Sequence, residues 1–380
     1  MKTLQIGMGW FGDRAGGLNR YYYDCANHFA AADMQFDGLV AGGNNVRQDS
    51  HARVTAFAPS NASLLKRWQE VRNNFKELSS KQEYDLIVSH FAFYTFPLLN
   101  LLKSRPMVTH FHGPWALESD VEQSKPIAIW LKKQLEKLVY RRSQKFIVLS
   151  QTFRNILHDE YQIPLERIEV VPGGVDLRRF NLNISPSDAR QKLGWNSTRP
   201  TIFCIRRLAK RMGLENLIAA MSQVQQHYPN IMLYLAGKGA LAETLQQQIE
   251  HLGLHNNVKL LGYVSDDDLP LCYRAANFSV IPTLALEGFG LIAIESLAAG
   301  TPVLGTPIGG IPEILRPLSP DLVFDDCSSS KLARGIIEAL NGTRKLPSSK
   351  TCLEYVQENY TWDKVTRQIN SVYQSVISAS

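Results

Sequence analysis

Two glutamates with seven residues between them bracket a glycine turn in Glu287-Gly288-Phe289-Gly290-Leu291-Ile292-Ala293-Ile294-Glu295. Carboxylates placed in this way can accept hydrogen bonds from a ligand's hydroxyls or face a positive charge that develops during reaction. Gly288 and Gly290 can take φ > 0 or let the backbone approach a ligand closely. Leu291 to Ala299 is mostly apolar, free of Gly and Pro, and closed by Gly300, which predicts a helix. Ahead of it, Asn277 to Ile281 reads as a short strand stopped by Pro282. Strand, glycine turn and helix together aim open N–H groups and the positive end of a helix dipole at an anion. Glu295 shares a helical stripe with Leu291 and Ala298, so its carboxylate needs a partner, and ligand hydroxyls would serve.

Other stretches carry related chemistry. Thr201 to Ile205 reads as a strand that runs into Arg206-Arg207-Leu208-Ala209-Lys210-Arg211-Met212-Gly213, ahead of a helix from Leu214 to His227. Cations at a strand end would neutralise a diphosphate and stabilise it as a leaving group. Ile231 to Ala236 opens into Gly237-Lys238-Gly239, a second close-approach loop. Gly262-Tyr263-Val264 precedes Ser265-Asp266-Asp267-Asp268, where a D-x-D could bind a metal diphosphate. Ser265 as a helix N-cap with acids in the first turn accounts for it better. His110-Phe111-His112-Gly113-Pro114 has no Cys, Asp or Glu at ligand spacing, so no metal site is expected. A catalytic or ligand-binding His112 and a structural histidine at a strand end both remain open.

The first half opens on a strand, Thr3 to Ile6, followed by a literal G-x-G-x-x-G at Gly7, Gly9 and Gly12. A nicotinamide oxidoreductase is disfavoured, because Asp13 to Gly17 separates the last glycine from the helix, which starts at Leu18 or Asn19. The second strand also ends in Ala41-Gly42-Gly43 and not in an acid for a ribose. Gly16-Gly17 instead sits at the helix N-terminus. Trp10, Asp13 and Arg14 either face a ligand or pack the loop. Strands at 54–58, 84–89, 107–110, 145–149 and 167–171 alternate with helices at 64–78, 95–102 and 127–142. That alternation predicts a doubly wound parallel sheet with ligands at the strands' carboxyl ends, near His90, His110 and His112. The helix 127–142 has a basic face; it could lie on an anionic membrane, but a helix covering the sheet is the preferred reading.

Bulk composition agrees with an ordinary globular α/β protein. The 380 residues suffice for two domains, and 44% hydrophobic with 20% charged residues excludes a disordered chain. Five scattered cysteines without a C-x-x-C suit a reducing cytoplasm. Neither a signal peptide nor a membrane span is expected. Residues 1–180 carry 23 Lys and Arg against 18 Asp and Glu, a basic bias too small to imply nucleic acid.

Glu287-Gly288-Phe289-Gly290-Leu291…Glu295, followed by Gly300-Thr301-Pro302-Val303 and Gly309-Gly310-Ile311-Pro312-Glu313, resembles the donor-site motif of glycosyltransferase family 4, also called glycosyl transferases group 1. The resemblance spans nearly the whole chain and is sharpest from about 200 to 315. It implies the GT-B fold: two Rossmann-like domains, 1–178 on the acceptor side and 179–361 for the nucleotide sugar, with a cleft between them. A terminal helix, 362–380, would cross back to the first. It further implies a retaining, metal-independent hexosyl transfer from a nucleotide diphosphate sugar to a glycan or lipid in cell-envelope polysaccharide or glycolipid assembly. That sugar is a co-substrate; no cofactor is implied. By the same resemblance Glu287, His112 and Arg207 are catalytic. Gly16, Gly17, Lys210, Arg211, Gly237, Gly239, Tyr263, Val264, Gly288, Phe289, Gly290, Leu291 and Glu295 bind the donor. The family lysine position is Met212 here, and Lys210 or Arg211 would supply its charge. A cytoplasmic protein with weak contact to the inner membrane face through its first domain is the implied setting. A nucleotide-sugar epimerase of the same fold and a non-catalytic nucleotide-sugar-binding protein are the alternatives.

Overall fold

The computed structural model describes residues 1–14, 16–31, 34–102, 105–122 and 125–379. The chain divides into two compact units: residues 1–174 with 362–380, and residues 175–361. Each is built on a parallel sheet.

In the first unit the strands are β1 (Lys2–Gly9), β2 (Gln35–Ala41), β3 (Val54–Ala58), β4 (Leu86–Ser89), β5 (Met107–Phe111), β6 (Lys145–Val148) and β7 (Ile168–Val170). They lie in the order β3-β2-β1-β4-β5-β6-β7. All pairings are parallel, so each connection crosses a face and both faces become covered. The central β1 shows the consequence: Leu4 and Ile6 point to one side and Thr3 and Gln5 to the other, and all four are buried. The glycine loop leads into the helix Gly17–Ala31, which begins one residue ahead of the expected start. Trp362–Ile377 packs into this same unit, where Trp362 stacks on His28 with ring centroids 5.3 Å apart.

The second unit holds β8 (Thr201–Ile205), β9 (Met232–Ala236), β10 (Val258–Gly262), β11 (Phe278–Ile281) and β12 (Val303–Gly305) in the order β10-β9-β8-β11-β12. These pairs are parallel as well. β11 and the helix Leu291–Ala298 lie where the sequence places them, and Gly300 closes the helix at φ 72°.

Two local expectations need correction. The helix expected at 95–102 is a short turn, Ala92–Thr95, followed by a 3₁₀ piece at Phe96–Leu98, because Pro97 cannot supply an N–H to a continuing helix. Ser265 does bond the Asp268 N–H, at 3.0 Å, but the helix begins only at Asp268. Among the described residues, no helix is long and apolar enough to cross a membrane.

Candidate functional site

The turn after β11 is held by packing from three sides. Leu286 adopts φ 53°, a left-handed conformation that a branched side chain reaches only under tertiary constraint. Its carbonyl accepts from Arg211 Nη1 at 2.9 Å. The Glu287 carbonyl accepts from the Gly310 N–H at 3.0 Å, and a Cβ at Gly309 would come within 1.9 Å of that oxygen. The G-G of the following loop is therefore a packing requirement of the E-G-F-G turn. Beyond Gly290, the N–H groups of Leu291 and Ile292 start the helix without an intrahelical acceptor, and no side chain caps them.

Arg206, not Arg207, reaches the first glutamate. Its Nη2 donates to Glu287 Oε2 and to Thr283 Oγ1, and Thr283 Oγ1 lies 3.2 Å from the same carboxylate oxygen. The pair is largely buried, with side chains 9% and 14% exposed. The buried Arg206 Nε lacks an acceptor among the described residues, as suits a donor waiting for a ligand oxygen. Sequence reasoning passed over Arg206; a charge directly at the end of a buried strand was the available signal. Arg207 and Lys210 are exposed, while Arg211 is half-buried against the turn. Glu295 is 9% exposed and takes a hydrogen bond of 3.1 Å from Tyr273 Oη, so the chain itself supplies one partner for the carboxylate. Burial and the nearby carboxylate hold the Tyr273 phenol well above its usual range.

The second glycine loop also meets a packing requirement. A Cβ at Gly237 would lie 1.8 Å from the Arg206 carbonyl, and one at Gly239 would lie 2.3 Å from that of Leu208. These glycines let the loop press against the exit of β8, which fixes where the arginines emerge. Tyr263 is 58% exposed with Lys238 Nζ 5.2 Å from its ring centroid; Val264 follows it, partly buried.

In the first unit, Gly16 and Gly17 face open space: a Cβ on either would meet nothing within 4 Å. Trp10 packs the loop, fully buried against Tyr23 at 4.9 Å. Asp13 Oδ2 accepts from the Gly43 N–H at 2.6 Å and ties the loop to the end of β2, whereas Arg14 is exposed. Ala15, Gln123 and Ser124 lie outside the described residues.

Three histidines meet at the ends of β4 and β5. His90 Nδ1 and His112 Nε2 are 3.1 Å apart, and His90 Nε2 is 2.9 Å from Gln5 Oε1. His110 lies between Tyr373 Oη, 2.7 Å from Nε2, and Tyr21 Oη, 3.3 Å from Nδ1. One nitrogen from each ring falls within 4.8 Å of the others, a spacing that three metal ligands could share. The ring planes argue against convergence: His90 and His110 stack face to face, centroids 4.4 Å apart at 27°. In-plane lone pairs on stacked rings cannot meet at bonding distance, about 2.0–2.1 Å, from one ion. Burial pushes the His112 imidazole down to about 3, and burial plus its neighbours hold His90 and His110 well below the usual range. All three are neutral near pH 7.

Past His112, the buried Glu136 accepts from the N–H groups of Trp115 and Ala116 at 3.0 and 3.3 Å, and from Tyr161 Oη at 2.7 Å. It anchors the start of the helix Trp115–Val121, and burial raises its carboxyl to about 7. The helix carrying it, Pro126–Arg142, turns Glu136, Val139 and Tyr140 inward. Outward it presents Ile127, Trp130, Leu131 and Leu138, which are 64, 56, 55 and 47% exposed.

Known proteins match both units. The family model for glycosyl transferases group 1 matches residues 186–359, and that for glycosyltransferase family 4 matches residues 15–179. An uncharacterised glycosyltransferase of Methanocaldococcus jannaschii is 28% identical over 244 residues, 63% of this chain and 62% of the relative. A GDP-mannose-dependent monoacylated alpha-(1-6)-phosphatidylinositol monomannoside mannosyltransferase of Corynebacterium glutamicum is 31% identical over 54% of this chain and 56% of its own. The matched stretches thus take in less than two thirds of these relatives. Among solved structures, sucrose-phosphate synthase of Thermosynechococcus elongatus superposes with a TM-score of 0.84 at 23% identity, covering 100% of both chains. Anabaena HepE, solved with UDP and glucose, gives 0.82 at 21% identity, covering 99% of this chain and 100% of its own.

Proposed function

The chain belongs to glycosyltransferase family 4 and has the GT-B fold, and from that premise we propose that it transfers a hexosyl group, with retention, from a nucleotide diphosphate sugar to a glycan or lipid acceptor. The observation that carries this reading is the turn at 287–291: an uncapped helix start, a buried Glu295 and a Glu287 held by Arg206. Glu295 accepts hydrogen bonds from the ribose, and Glu287 faces the sugar and its developing positive charge. Arg207, with Lys210 or Arg211, and the open amides at the helix start hold the departing diphosphate. These cations make a metal-independent reaction feasible. In this reading Tyr263-Val264, with Gly237 and Gly239, serves the donor in the second unit, and donor roles for Gly16, Gly17 and His112 rest on the family resemblance alone. Structures of one similar protein, Anabaena HepE, with UDP, with UDP and glucose and with UDP-glucose support a nucleotide-sugar donor.

We place the enzyme in the cytoplasm, consistent with five free cysteines, and assign it to envelope glycan or glycolipid assembly. The outward stripe of Pro126–Arg142 carries Lys137 and Arg141 beside its apolar residues, which suits weak docking on an anionic bilayer. Co-sedimentation with phosphatidylglycerol vesicles, lost in Trp130→Asp, tests that contact.

A thermal-shift screen against UDP-, GDP- and ADP-sugars tests the function, since a bound donor raises Tm by mass action. One stabilising nucleotide sugar is expected, and Glu295→Ala or Arg207→Ala should weaken it by about 1–3 kcal/mol. Unchanged donor affinity in both variants would sink the site. Conversion of the donor without an acceptor would favour an epimerase. Binding without turnover would favour a non-catalytic protein.

A further inference from the structure

Gln5 is an amide buried in the middle of a central strand, 1% exposed, where an aliphatic residue would ordinarily stand. Its Nε2 donates to Thr3 Oγ1 at 3.2 Å, which turns its oxygen toward His90. That oxygen can only accept, so the 2.9 Å contact requires the hydrogen on His90 Nε2. A neutral imidazole has one N–H, and His90 is held neutral by burial, which leaves its Nδ1 bare. The contact from that Nδ1 to His112 Nε2 must then be His112 Nε2–H donating. The rings support this: their planes lie 16° apart and their centroids 5.4 Å apart, an edge-to-edge arrangement that puts the 3.1 Å contact in line. His112 is neutral too, so its remaining nitrogen, Nδ1, carries only a lone pair.

We propose that Gln5 and His90 are positioning residues that lock His112 as the Nε2–H tautomer, so that it meets its ligand through Nδ1 as an acceptor. A lone pair takes a hydrogen from a hydroxyl and repels a phosphate oxygen. Granted the glycosyltransferase reading above, His112 therefore serves a sugar hydroxyl and not the diphosphate. Tyr21 and Tyr373 hold His110 outside this chain of bonds, as a stacked wall against His90.

The tautomer can be read directly in the full chain labelled with ¹⁵N-histidine, with the signals assigned through His112→Gln. The expected pattern at His112 is a pyrrole-type Nε2 and a pyridine-type Nδ1. Gln5→Met removes the acceptor at equal length. It should mix the tautomers at His90 and His112 and lower kcat/KM for the donor found above by about tenfold, the scale of one hydrogen bond. Gln5→Glu keeps an acceptor and should retain the wild-type His112 pattern. If Gln5 were only structural, Gln5→Met would lower Tm and leave the tautomer untouched. A hydrogen on His112 Nδ1 in the wild type, or an unchanged pattern in Gln5→Met, overturns the proposal. The spectra need no turnover, so failure of the functional reading is distinguished by the donor screen.

Discussion

At the turn after β11, oppositely charged side chains are paired: Arg206 holds Glu287, and Arg207, Lys210 and Arg211 gather on the same strand exit. At the ends of β4 and β5 the polar groups are just as dense, yet burial leaves all three imidazoles neutral. The difference is one of electrostatic character: fixed charge at one cluster, neutral hydrogen-bonding groups at the other. Fixed cations and an open helix start suit an oxyanion whose charge grows during reaction, whereas neutral donors and acceptors suit hydroxyls, which carry no charge to neutralise.

Acid should break this comparison most severely, and only on one side. A histidine held below its ordinary value stabilises the fold above the unfolded pKa of about 6.5, and that stability is lost as pH falls. His112 alone, pushed down to about 3, should cost about 2 kcal/mol at pH 5 relative to pH 7, and His90 and His110 add in the same direction. Glu136 has the opposite sign: raised to about 7, it stabilises at low pH and loses that contribution as pH rises through about 7. Three groups against one leave a net uptake of protons on unfolding between pH 6 and 5. Urea titrations across that range should show stability falling toward pH 5, less steeply in His112→Gln; a flat profile would refute buried neutral histidines. Glu287→Ala comes next. It strands Arg206, whose side chain is 9% exposed, and should cost about 3 kcal/mol. A cycle with Arg206→Met separates the pair from its parts: near-additive losses would mean the two charges are independent. The smallest effect is Tyr273→Phe. It removes one bond to Glu295 and should cost about 1 kcal/mol in stability, read from the denaturation midpoint. A neutral outcome would show Glu295 to be satisfied without the tyrosine.

What could be read in advance follows the same division. The turn at 287–300 was legible because its strand, glycines, helix and closing Gly300 are contiguous, and each obeys a local rule. The parallel α/β architecture was legible from alternation of short apolar runs with amphipathic ones. Arg206 was missed because two adjacent arginines look alike until a strand's pleat sends one inward. Glycines 237 and 239 also answer a packing requirement from neighbouring carbonyls, which only the fold reveals. The histidine cluster was legible only as three residues near strand ends. Its partners Gln5, Tyr21 and Tyr373 come from distant segments that no periodicity connects.

Tyr373 has a bearing on how the molecule is made. The helix Trp362–Ile377 completes a unit whose other residues end at Gly174, and it brings both the His110 partner and the indole that covers Gly174. During synthesis the first unit therefore waits, with His110 lacking its Tyr373 partner, while residues 175–361 emerge and can fold as an uninterrupted segment. The half of the protein that is translated first is the half that finishes last. A ribosome-stalled chain ending at Thr361 should accordingly carry a protease-resistant second unit and a first unit that remains open to cleavage.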